Sequence, residues 1–191
     1  MNVVSKIRPI MSVEEFLAWP GDGTCTRFEL VNGQPRAMAP ASTVHGIIQG
    51  NIVRHLGNHL APTACSVAAE AGIKPVFDAR RNVRIPDITV TCSEATPRDH
   101  LVSEPLLIVE ILSPSNEDDT WESITALATV ASLREIVVVQ SERMEALVYT
   151  RLSDNNWPEQ GVTVPADGVV RLSSIDAELK MSDIYLKTGL S

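Results

Sequence analysis

RIPDITVTC (residues 84–92) and LLIVEIL (residues 106–112) decide how this chain is read. Both have the composition of β-strands, yet each carries a carboxylate. Asp87 follows Pro86 and precedes Ile88 and Val90; Glu110 interrupts an otherwise apolar run. Strand propensity favours neither acid. An ionised carboxylate in a half-buried strand is costly unless something pairs with it: a backbone donor, a cation from elsewhere in the chain, or a metal ion. Each acid alone is open to a plainer explanation, an edge residue or a charge paired with an arginine. Two on consecutive strands are more informative. Neighbouring strands lie about 5 Å apart, so both side chains reach one cation, and Asp and Glu oxygens are the ligands a hard divalent ion such as Mg²⁺ takes.

Local signals organise the rest of the chain. Ser12 with Glu15 forms a capping box ahead of a short helix ending near PGDG at 20–23. Strands are expected at 27–31 and 34–38 around an Asn32-Gly33 hairpin turn, then a helix capped by Ser42 or Thr43 and running to about Leu60. Further strands are expected at 65–70, 73–77, 83–92 and 106–112, the last covered on both faces because it is almost continuously apolar. A helix over 119–132, strands at 135–140, 146–151, 162–164 and 169–172, and a terminal helix near 182–186 complete the order. That order predicts an α/β (α+β) fold, a mixed central sheet flanked by helices, in one domain over residues 1–191.

The 191 residues carry a formal net charge of −8 and are 44% hydrophobic; mean hydropathy is +0.05 and the pI about 5.0. This is globular composition, and its charge argues against a constitutive nucleic-acid coat. No run approaches the roughly 18 apolar residues of a membrane span, and the first residues lack the apolar core and cleavage site of a signal peptide. Cys25, Cys65 and Cys92 are odd in number and form no CxxC pair, which suits a reducing compartment. A cytoplasmic protein is expected.

Other motifs carry less. His55 and His59 are four apart on a helix, but HLGNH lacks the glutamate of a zinc-protease HExxH; core or interface roles suit them better. Ser113 and Ser115 read as turn and helix-cap residues, not nucleophiles, because no Gly-x-Ser-x-Gly elbow is present. Glu29 stands between Phe28 and Leu30, either solvent-facing or functional, and Glu70 closes a strand, able to add or orient a ligand.

These residues together resemble the PD-(D/E)xK nuclease superfamily, and more narrowly a large bacterial family of restriction-endonuclease-like proteins expanded in cyanobacteria. MSVEEFLAW (11–19), the block from Phe28 to Leu56, RIPDITV (84–90), IVEILSPSN (108–116) and LREIVVVQ (133–140) carry the likeness, over about residues 11–187. The resemblance implies a restriction-endonuclease-like fold, a homodimer, and hydrolysis of DNA phosphodiester bonds with Mg²⁺ or Mn²⁺. Asp87 and Glu110 match its metal ligands, Glu29 its hairpin acid and His45 its helix histidine. One feature departs. The superfamily's lysine two residues after the strand acid falls on Leu112, and the narrower family's helix lysine falls on Ile124, with Ala128 and Ser132 in place of its tyrosine and glycine. No lysine or arginine lies between Arg98 and Arg134. Lys74, on a neighbouring expected strand, is either a migrated catalytic lysine or a surface residue. The alternative function is a catalytically silent homodimeric binding or assembly protein on the same scaffold.

Overall fold

The computed structural model describes residues 10–114 and 116–190. The first nine residues, part of the segment read for a signal peptide, and Ser115, read as a cap, lie outside them. Six strands form the central sheet in the order β3-β4-β5-β6-β7-β8. They are β3 (Ser66–Ala69), β4 (Ile88–Thr91), β5 (Pro105–Leu112), β6 (Glu135–Gln140), β7 (Ala146–Thr150) and β8 (Val162–Val164). Only the β5–β6 pair is parallel; the other four are antiparallel. The crossover between β5 and β6 is α3 (Glu117–Leu127). A separate hairpin, β1 (Phe28–Val31) with β2 (Gln34–Ala37), follows α1 (Val13–Ala18) and precedes α2 (Thr43–Leu60). A second hairpin, β9 (Val169–Leu172) with β10 (Ala177–Lys180), leads into α4 (Met181–Ile184).

The alternation of side chains along β5 divides the core into two layers. Leu107, Val109 and Ile111 pack with Ile48, Ile52, Leu56 and Leu60 of α2 and with the β9–β10 hairpin. Ile108 and Leu112 face the other way, against Ile124 and Leu127 of α3 and Ile136 and Val138 of β6. The strand is thus buried on both faces, as its composition predicts. Ser12 and Glu15 make both halves of the capping box, and Ser42 Oγ accepts from His45 N to cap α2.

Several expected elements are shorter or absent. Residues 73–77 form no strand: Ile73 bridges Arg84 and nothing beyond it pairs. Pro75 removes an amide donor just where a ladder would continue. Likewise β4 begins at Ile88, not at 83, because Pro86 cannot donate. Helix α3 starts two residues early, with Glu117, Asp118 and Asp119 in its first turn where acids favour the helix dipole. It stops at Leu127, where Arg151 Nη2 and Trp157 Nε1 donate to the carbonyl of Ala128 at 2.7 and 2.9 Å. Strand β10 was not anticipated. The cysteines also differ from expectation. The β3–β4 register pairs Ser66 with Thr91, so Cys65 and Cys92 come side by side, and they form a disulfide. Cys25 is free and exposed.

Glu135 fastens the C-terminal hairpin to the sheet. Its carboxylate is buried at the start of β6 and accepts from Ser173 N and Oγ at 2.9 Å each, from Ser174 N at 3.0 Å, and from Ser174 Oγ. Removing it orphans these donors. Glu135→Ala is expected to lower unfolding free energy by about 3 kcal/mol in chemical denaturation; a loss below about 1 kcal/mol would show the hairpin to be held by packing alone.

Candidate functional site

Asp87 and Glu110 face each other. The β4–β5 register pairs Ile88 with Val109, and one further step places Asp87 opposite Glu110. Asp87 Oδ2 accepts from the backbone N–H of Ile111 at 2.7 Å, and Oδ1 accepts from His45 Nε2 at 2.9 Å. Its own amide points at Glu110 Oε2, 3.4 Å away. Its carbonyl accepts from Gln49 Nε2 at 2.9 Å and from Glu70 N at 3.0 Å. Two turns of α2, the end of β3 and the C-terminal end of β5 therefore meet on one residue. Glu70 adopts φ +51°, which ends β3 and lets its carboxylate and carbonyl meet Arg27.

A cleft of about 690 Å³ opens over this pair, lined by Glu29, Arg36, His45, Asp87, Glu110 and Asp119 among others. Four of the residues put forward from sequence, Glu29, His45, Asp87 and Glu110, thus meet in one place. Lys74 does not join them. It is exposed, outside the lining, and its charge acts on Glu14 of α1 instead. The expectation that it stands on a strand beside the acids fails with the strand itself. His55 and His59 are also elsewhere: His59 Nε2 donates to the carbonyl of Ile175 at 2.9 Å. Leu112 and Ile124, the positions on which the resemblance places a lysine, are buried together in the α3-side apolar layer.

The structure adds a cationic group not anticipated from the sequence. Arg36 Nε and Nη2 donate to Glu29 Oε1 at 3.0 and 2.8 Å. Its Nη1 donates to Asp119 Oδ1 at 2.8 Å and Glu122 Oε2 at 2.7 Å. Arg84 is buried beside it, with Nη2 donating to Glu122 Oε1 at 3.2 Å and Nη1 3.5 Å from Glu29 Oε1. Glu29 is therefore neither solvent-facing nor free: it anchors two guanidiniums. Burial pulls the Glu122 carboxyl upward, but Arg36 and Arg84 hold it below its ordinary value. The Glu29–Arg36 contact was signalled in the sequence, because a two-residue Asn-Gly turn fixes the register that pairs these residues. Asn32 and Gly33 have φ of +49° and +79°, as that turn demands.

Glu110 is 7% exposed. Burial, and then the charge of Asp87, hold its carboxyl well above the usual range. Two carboxyls in this relation share a proton or a cation. Their oxygens fit a hard divalent ion that keeps most of its water. Among the described residues no three His, Cys, Asp or Glu side chains gather as a complete metal cage.

The mixed sheet flanked by helices is a restriction-endonuclease-like fold. The chain aligns with the structure of a protein from Anabaena variabilis described as a putative nuclease belonging to DUF820, with a TM-score of 0.69, 18% identity, and coverage of 92% of this chain and 97% of that one. Residues 13–182 match the Uma2 family, whose description is putative restriction endonuclease, and the chain belongs to that family. An uncharacterized protein of Synechocystis sp., slr1290, is 30% identical over 154 residues, which is 78% of each chain.

The raised Glu110 carboxyl makes stability depend on pH. A group that holds its proton more tightly in the fold stabilises fully below its unfolded value, here 4.5, and that contribution is lost as pH rises through the folded value. Glu110→Gln keeps the shape and removes the titration. In metal-free buffer, the thermal midpoint of the variant is expected to exceed that of wild type by a margin that grows as pH rises above 4.5. A margin independent of pH would mean that Glu110 is not the strained carboxyl.

Proposed function

We propose that this chain is a metal-dependent endonuclease that hydrolyses DNA phosphodiester bonds at the Asp87–Glu110 pair. The observation that carries this reading is the facing pair of carboxylates, Glu110 buried and Asp87 half-buried, that lines an open cleft. Such an arrangement is unfavourable in an apolar sheet without a cation to share, and perturbed carboxyls in a cleft mark functional sites. Membership of a family described as restriction endonucleases supports the same reading. Asp87 and Glu110 would hold Mg²⁺ or Mn²⁺. The ion, when bound, supplies an activated water at neutral pH and neutralises charge on the scissile phosphate. The chain's own contribution is orientation. His45 Nε2 and the Ile111 amide fix both oxygens of Asp87, Gln49 fixes its backbone, and the Glu29–Arg36 pair forms the charged wall beside them.

A second reading has its own observation. Leu112 and Ile124 fill an apolar layer where the family carries a lysine, and Asp119 adds a negative charge to the cleft. Both features suit a silent homodimeric binding protein that keeps the fold without the chemistry.

Cleavage separates the two. Supercoiled and single-stranded DNA are incubated with Mg²⁺ or Mn²⁺ and wild type, Asp87→Asn or Glu110→Gln. The nuclease reading expects cutting by wild type and a fall of about a hundredfold or more in each variant. Equal background rates in all three would favour the silent scaffold.

A further inference from the structure

With Leu112 and Ile124 buried in the apolar layer, a cation near the acid pair must come from elsewhere. Among the described residues the guanidiniums lining the cleft are Arg27 and Arg36. Arg27 bonds the side-chain and backbone oxygens of Glu70, but its side chain is 49% exposed and has no shielded carboxylate to hold it in place over the acid pair. Arg36 is held unequally at its two ends. The Nε/Nη2 edge makes two bonds to Glu29, whose side chain is only 12% exposed. The Nη1 end is bonded to Asp119 and Glu122, which are 63% and 45% exposed. Exposed ion pairs are weak and yield to competing anions and salt, whereas a two-bond contact to a shielded carboxylate persists.

The surroundings of Arg36 are suited to an exchange of partners. Arg84 is buried, already bonds Glu122 through Nη2, and has Nε and Nη1 without hydrogen-bond partners. Glu122 therefore retains a cation when Arg36 leaves it, and Asp119 returns to water. A phosphate oxygen is the natural competitor for Nη1, since guanidinium binds phosphate with directed hydrogen bonds.

We propose that Arg36 is the phosphate-binding cation of this cleft, standing in for the absent lysine, and that Asp119 and Glu122 of α3 latch its Nη1 until a phosphodiester displaces them. The inference rests on the reading of the cleft as a phosphodiester site. It makes Arg36 a group whose affinity is set by two acids on a different element, so opening the latch strengthens binding where loss of a structural ion pair weakens it.

The test is fluorescence anisotropy of a short DNA duplex and its single strand, in buffer without divalent cations. Asp119→Asn/Glu122→Gln is expected to bind at least about fivefold more tightly than wild type. Glu117→Gln/Asp118→Asn removes the same charge from the same helix without touching Arg36, and is expected to give little of that gain. Arg36→Met is expected to abolish the gain when combined with the open latch, and to reduce the slope of log affinity against log salt by about one. Arg36→Lys, which preserves the charge, is expected to keep the wild-type slope with weaker binding, and covers the case in which the methionine variant does not fold. The inference is overturned if both double variants gain equally, if the gain survives loss of Arg36, or if neither wild type nor the open latch binds DNA. Cleavage with Mg²⁺ is scored separately. Arg36-dependent binding without cleavage refutes the endonuclease and leaves the latch standing, while cleavage indifferent to Arg36 refutes the latch alone.

Discussion

The structure depends on how Asp87 is bonded. Its carboxylate joins the amide of Ile111 on β5 to the ring of His45 on α2, and its carbonyl joins Gln49 of α2 to Glu70 at the end of β3. A short aspartate side chain reaches these partners only because Pro86 ends regular pairing and releases residue 87 from the ladder. The result fixes the start of α2 over the sheet and sets the carboxylate opposite Glu110. The residue that aligns the layers is thus also the residue that presents an acid to the cleft.

Glu110 is the unfavourable counterpart. Its neighbours Val109 and Ile111 serve the α2 layer, and Ile108 and Leu112 serve the α3 layer. A glutamate among them loses hydration and meets the charge of Asp87. The desolvation that makes it costly would also strengthen its attraction to a cation shared with Asp87. The hairpin acid Glu29 is treated differently: two guanidiniums neutralise it. The cleft therefore sets acids that bond arginines, Glu29, Glu70 and Asp119, beside the Asp87–Glu110 pair, whose carboxylates meet only His45 and backbone amides among the described residues.

Features encoded by neighbours in sequence were legible. The Ser12 capping box, the Asn32-Gly33 hairpin and the two-faced burial of β5 follow from local chemistry, and all three are present. So were the positions of Asp87, Glu110, Glu29 and His45 around one cleft. Lys74 was misplaced because a strand was assumed through Pro75. The Cys65–Cys92 bond joins residues 27 apart and depends on the register of β3 and β4, which no local pattern specifies. The Arg36–Asp119 and Arg36–Glu122 contacts span 83 and 86 residues, and arise only once α3 has crossed back beside the hairpin.

The central claim is that Asp87 and Glu110 form one cation site. The most direct measurement is anomalous diffraction from crystals of the full chain soaked in Mn²⁺. The account predicts a single strong peak between the two carboxylates, lost in Glu110→Gln. A peak instead at the acidic first turn of α3, with none between Asp87 and Glu110, would contradict it.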